Sequence, residues 1–213
     1  MPKQSPAPVQ EPTPIQFYYF SGTRASRVHW ALEELKLSYK ITVVDLKRGD
    51  HQQDSYKAIH PLAKVPAVVI DGQALFESLG IVLYLADRYP AAGLAPEVDS
   101  PLRGEYCQWM SFAVGTLEPA VINAIRADGV SSKEAEAFDL GPAFTPLERI
   151  ADYLEGRFST SRWLLGEQFT MADLMVASLL FWAHNKALLD DFPGLLRWLE
   201  KVQQRPAYQA IQV

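Results

Sequence analysis

With 213 residues, the chain can hold one large hydrophobic core or two smaller ones. Hydrophobic residues at 48% and charged residues at 21% exclude a disordered polymer. A formal charge of −5 without clustered Lys and Arg argues against a nucleic-acid partner. The single cysteine, Cys107, excludes an internal disulfide, a CxxC redox pair and a cysteine-built zinc site; no metal is expected, and Cys107 itself reads as a structural thiol. No run of about eighteen apolar residues and no apolar leader are present. A cytoplasmic protein that engages neither nucleic acid nor membrane is therefore expected.

Prolines 2, 6, 8, 12 and 14 stand among polar residues, so Met1 to Pro14 reads as an extended tail. The run Ile15 to Phe20 is rich in β-formers and ends at Ser21–Gly22, which predicts a buried strand. From Ala25 to Lys36, Val28, Ala31, Leu32 and Leu35 recur at helical spacing, and Tyr39 to Asp45 predicts a second strand. Strand, helix and strand here form a βαβ unit. After a polar stretch, Val65 to Ile70 and Gln73 to Phe76 flank the Asp71–Gly72 turn as a hairpin. A helix bearing Leu79, Val82, Leu83 and Ala86 follows and stops near Tyr89–Pro90. The expected unit over 15–90 is thus α/β, one small mixed sheet in βαβ-ββα order with helices on it.

Residues 91–101 read as a Pro/Gly linker, and 102–213 as an all-helical bundle. Leu102, Tyr106, Trp109, Met110, Ala113 and Leu117 share one helical face; Leu147, Ile150, Ala151, Leu154 and Phe158 share another. Leu174 to Trp182 is apolar nearly all round, as in a central helix. Thr170 and Asp173 are spaced as a capping box at its start, a folding role rather than a catalytic one.

Lys64–Val65–Pro66, Glu77–Ser78 and Phe169–Thr170–Met171–Ala172–Asp173, in that order, resemble the glutathione transferase family across the chain after Pro14. The phrase from Arg24 to Trp30 with Leu32–Glu33–Glu34–Leu35, and the stretch from Asp45 to Pro66, are similar to bacterial and theta-like members. His60 departs from the usual Asn before proline. The resemblance implies a thioredoxin-like N-terminal domain and glutathione as co-substrate. It also implies a cis Val65–Pro66 bond, which frees the Val65 backbone to pair with the cysteinyl part of the tripeptide; without it, Pro66 reads as an ordinary edge-strand proline. Ser78, read as a helix N-cap, and Glu77 are expected at the γ-glutamyl end, and Lys64 and His51 at the glycine carboxylate. In a polar loop, His51 also reads as a solvated side chain.

A free thiol has a pKa of about 8.5, and lowering it by two units takes roughly 2.7 kcal/mol. Thr23 and then Ser21, at the strand–helix junction, are the expected hydroxyl donors, with Tyr18 and Tyr19 as rivals. Trp109, Phe112 and Trp182 are candidates to wall the electrophile site, although aromatic residues at this spacing also suit a core. The implied activity is conjugation of glutathione to a small apolar electrophile by a homodimer. Glutathione-dependent peroxide reduction and dehalogenation suit the same site. The alternative is a non-catalytic relative that binds ligands or partners.

Overall fold

The computed structural model describes residues 14–127 and 145–211. All of the expected N-terminal tail except Pro14 lies outside them. Strand β1 (Ile15–Tyr19), helix α1 (Ala25–Glu34) and strand β2 (Tyr39–Val43) form the βαβ unit. A short helix α2 (Asp54–Lys57) leads to β3 (Ala67–Ile70), β4 (Gln73–Phe76) and α3 (Ser78–Arg88). The sheet order is β2-β1-β3-β4: β1 runs parallel to β2, with Phe17 beside Ile41, and antiparallel to β3, with Phe17 beside Val68.

The strands are shorter than the β-forming runs in the sequence. Burial is confined to the centre of the sheet: Phe17 and Val68 are fully buried, whereas Val43 on the β2 edge is 63% exposed. At the hairpin, Asp71 and Gly72 both have positive φ, 50° and 80°, the two-residue geometry whose twist suits antiparallel strands. Helix α1 stops before Lys36, which takes φ 52° as the chain turns toward β2.

Every described element beyond the 3₁₀ turn at Pro90–Ala92 is helical, apart from one isolated bridge between Trp163 and Gly166. Helix α4 (Arg103–Phe112) continues through a π turn (Ala113–Leu117) into α5 (Glu118–Ala127). Then come α6 (Leu147–Thr160), α7 (Met171–His184), α8 (Pro193–Gln203) and α9 (Pro206–Ala210). Leu102, expected on the buried face, is exposed because it precedes the first turn of α4.

The segment read as a linker is clamped to the bundle. Leu94 is buried and its carbonyl accepts from the Met171 N–H at 2.8 Å, while Gln168 Nε2 donates to the Gly93 carbonyl at 2.7 Å. Gly93 has φ 66°, a backbone conformation that favours glycine, and a β-carbon there would also displace the Gln168 amide, 2.6 Å away.

Helix α1 is the wedge between sheet and bundle, in contact with α3 on one side and with α7 and α9 on the other. Its Trp30 packs edge-on to Tyr208 of α9. Its Glu34 accepts two hydrogen bonds from Arg205, at 2.6 and 2.7 Å, and a third from Trp30 Nε1 at 3.0 Å. Among the described residues no helix is long and apolar enough to cross a membrane, and no group of His, Cys, Asp and Glu is placed to hold a metal ion.

Helix α7 is buried almost all round, and its N-terminus carries the capping box. Asp173 accepts from the Thr170 N–H at 2.9 Å, from the Thr170 hydroxyl at 3.1 Å and from the Leu164 N–H at 2.8 Å. One carboxylate thus satisfies two backbone donors from separate segments. Asp173→Ala is expected to cost about 1.5–3 kcal/mol of stability, read from the urea midpoint. Burial raises the Asp173 carboxyl from 3.8 to about 6. Between those values the folded chain holds a proton that the unfolded chain has lost, so stability falls as pH rises through this window. Asp173→Asn cannot titrate; the wild type should lose stability relative to it from about pH 4 to 6, and a pH-independent difference would count against this assignment.

Candidate functional site

The junction between β1 and α1 separates two clefts. Thr23 closes the loop on itself: its hydroxyl donates to the Phe20 carbonyl at 2.7 Å and accepts from the Ala25 N–H at 3.2 Å. That satisfies one orphan donor at the start of α1 and commits the hydroxyl proton to the loop. Gly22, at φ 72°, contributes no side chain, and Ser21 is exposed.

The first cleft, about 270 Å³, brings together Lys64, Val65, Pro66, Glu77 and Ser78, with Arg24 and His60 completing the wall. The Val65–Pro66 bond is cis. The β3 ladder begins at Ala67, opposite Tyr18 and Phe76, so the Val65 amide and carbonyl have no strand partner. Hydrogen bonding of the Tyr56 hydroxyl to the Lys64 carbonyl, at 2.5 Å, holds this loop to α2.

On the opposite wall Glu77, not Ser78, takes the cap position of α3. Ser78 is the first residue of the helix, because Glu77 has φ 69° and ψ 110° and lies outside helical geometry. Such a left-handed conformation at a non-glycine residue is costly and concentrates at functional sites. It sets the start of an eleven-residue helix at the cleft, which Glu77 and Ser78 line.

His60 explains its own departure from Asn. Its Nδ1 accepts from the Leu62 N–H at 3.3 Å, closing the same kind of side-chain turn that an Asn makes. The ring also packs at a tilt against Phe76, with centroids 4.8 Å apart. Burial lowers its pKa despite the nearby Glu77 charge. His51, in contrast, sits on the 3₁₀ turn Asp50–Gln52 and is not among the residues that line this cleft.

The second cleft, about 330 Å³, lies across the junction between α1 and α7. Ser21, Gly22 and Arg27 line it from the junction and α1, Phe181, Trp182 and Asn185 from α7. Of the aromatic candidates, Trp182 is here. Trp109 and Phe112 are in neither cleft: Trp109 is buried in the bundle, donates to Glu105 at 3.3 Å and stacks on Tyr153, because the buried stripe of α4 faces α7. Tyr19 lines the second cleft, while Tyr18, one residue away and hence on the other sheet face, packs on Tyr56. Cys107 is exposed on α4.

Between the clefts stands a group that the sequence reading missed. Glu118, the first residue of α5, is buried and bonded to both Arg24 and Arg27, the latter at 3.1 Å. Burial lowers the Arg27 pKa and the Glu118 charge opposes that shift. Two guanidinium groups facing one carboxylate leave the junction with a net positive charge.

The family model described as glutathione S-transferase, N-terminal domain, matches residues 14–87, and the one for the C-terminal domain matches 120–201. Glutathione S-transferase Z2 of Arabidopsis thaliana is 29% identical over 201 residues, covering 91% of this chain and 87% of that protein. The disulfide-bond oxidoreductase YfcG of Escherichia coli is 27% identical, covering 91% and 92%. A crystal structure of a glutathione transferase from Methylococcus capsulatus superposes with a TM-score of 0.78 at 29% identity, covering 92% of this chain and 96% of that one. Matched in both its sheet-bearing and its helical part, the chain belongs to the glutathione S-transferase family.

Proposed function

We propose that the chain binds glutathione in the first cleft and joins it through its sulfur to an electrophile held in the second. The observation that carries this reading is the grouping of three complementary features in one cleft. Val65 presents an unpaired backbone edge, Lys64 a mobile cation, and Glu77–Ser78 a carboxylate beside a helix N-terminus. A tripeptide with an ammonium and a carboxylate at one end, an amide in the middle and a carboxylate at the other matches that order. In the transfer, the thiol releases its proton to solvent. The sulfur electron pair then forms the new bond to carbon while the leaving group departs with its own pair.

The thiolate is favoured by the net positive charge of Arg24, Arg27 and Glu118 and by the N-terminus of α1. Thr23 could donate to sulfur only by giving up the Phe20 carbonyl, so its main part is to hold the loop, and Arg24 carries the larger share of the charge. Support for an enzyme over a purely binding protein comes from the transferases among its relatives. Because a disulfide oxidoreductase is also among them, the assay must read conjugation itself. We further propose a two-fold homodimer, which light scattering would report as twice the chain mass; a monomer at micromolar concentration would refute it.

Retention on immobilised glutathione together with turnover of a model aryl halide tests the main reading, and retention without turnover would favour the binding protein. Lys64→Ala and Ser78→Ala are each expected to weaken glutathione by about 1.5–3 kcal/mol in calorimetry, the value of a charge-assisted contact. Unchanged affinity in both would remove the proposed pose. In ultraviolet titration of the bound thiol, Arg24→Gln should raise its pKa by about one unit, or 1.4 kcal/mol, and Thr23→Ser should leave it in place. A larger rise in Thr23→Ala or Ser21→Ala than in Arg24→Gln would return the role to a hydroxyl.

A further inference from the structure

The second cleft is not the plain apolar pocket expected from the sequence. Arg27 lines it with a side chain only 1% exposed. Its Nη1 donates to Glu118 at 3.1 Å, while Nη2 has no hydrogen-bond partner among the described residues. The guanidinium carbon lies 5.6 Å from the centre of the Trp182 ring, which lines the same cleft, so the cation is held against the cleft wall.

The surrounding groups do not supply an anion. No Asp or Glu is among the lining residues. The Ser26 and Ser178 hydroxyls donate instead to backbone carbonyls within their own helical turns, at 2.8 and 2.7 Å. Asn185 adds an amide at the end of α7, and Trp30, Phe181, Trp182 and Tyr208 supply flat apolar walls. Glu118, the counter-ion of Arg27, is shared with Arg24, so the positive charge beside the cleft is not fully neutralised. A buried guanidinium with an unpartnered donor favours an anion that can accept a charge-assisted N–H bond from it.

We propose that the second substrate is an aromatic or other flat electrophile bearing a carboxylate, which pairs with Arg27 Nη2 while its apolar body lies against Trp182. This rests on the glutathione transferase reading above and names the substrate class of its second cleft. The carboxylate is the anchor and is not consumed. It orients the reactive carbon toward the junction at Ser21–Gly22, beyond which the sulfur is delivered.

The test compares glutathione conjugates that place the group directly in this cleft. Affinities of S-(3-carboxybenzyl)glutathione and S-(4-carboxybenzyl)glutathione are measured calorimetrically on the full chain, each against its uncharged carbamoyl counterpart, with S-benzylglutathione as reference. At least one carboxyl isomer is expected to bind about tenfold tighter than its carbamoyl partner, the order of one charge-assisted hydrogen bond. In Arg27→Gln that ratio should fall to about one, and in Arg27→Lys part of it should return. If Arg27→Gln does not fold, the wild-type ratio and Arg27→Lys decide. The proposal is overturned if wild type binds the carbamoyl compounds as tightly as both acids, or if Arg27→Gln keeps the preference. Failure of the parent reading looks different: S-benzylglutathione itself does not bind.

Discussion

One buried carboxylate organises this molecule. Glu118 lies 94 residues beyond Arg24 in sequence, yet it joins the first turn of α1 to the first turn of α5. The sheet-bearing half can therefore hold its site in register with the helical half. Charges removed from water in this way cost several kcal/mol each, and they are tolerated because each has a partner of opposite sign. Loss of the carboxylate would strand Arg27 in the interior and free Arg24 to swing away. Stability and the electrostatics of the site are thus carried by the same three side chains.

That arrangement also divides the work between the clefts. Arg24 belongs to the wall that holds Lys64 and Ser78, and Arg27 to the wall that holds Trp182, so the start of one helix places a cation on each of two cleft walls. A nucleophile and its target approach best when each is held by its own rigid surface. Here the surfaces are the β3–α3 face and the α1–α7 face. Between them Gly22 offers no side chain to obstruct the approach.

Features set by neighbours in sequence were legible in advance. The helical periods, the Asp71–Gly72 turn and the Thr170–Asp173 box depend on residues a few positions apart, and their geometry follows from local chemistry. The residues gathered around Val65 were legible only through the family resemblance, since nothing local says that Lys64 and Ser78 face each other. Positions fixed by long-range packing were not legible. Trp109 shows the aromatic spacing of a pocket wall and is core. His51 looks available to a ligand and is not among the lining residues of the first cleft. Glu118 carries no signal in its sequence neighbours, and becomes the buried ligand of two arginines only once α1 lies against α5. Thr23 illustrates a finer limit, because sequence names the hydroxyl but not the carbonyl that accepts its hydrogen bond.

The π turn at Ala113–Leu117 gives that long-range contact its geometry. Such a turn is an α-helix holding one surplus residue, and each residue of an α-helix advances the face by about 100°. The stripe Tyr106, Trp109 and Met110 and the carboxylate of Glu118 therefore belong to two different angular settings of what is nearly one rod. A straight helix of the same sequence would bury one and turn the other aside. The surplus residue acts as a phase corrector, letting a single long element serve the packing of the bundle along one half and the chemistry of the junction along the other.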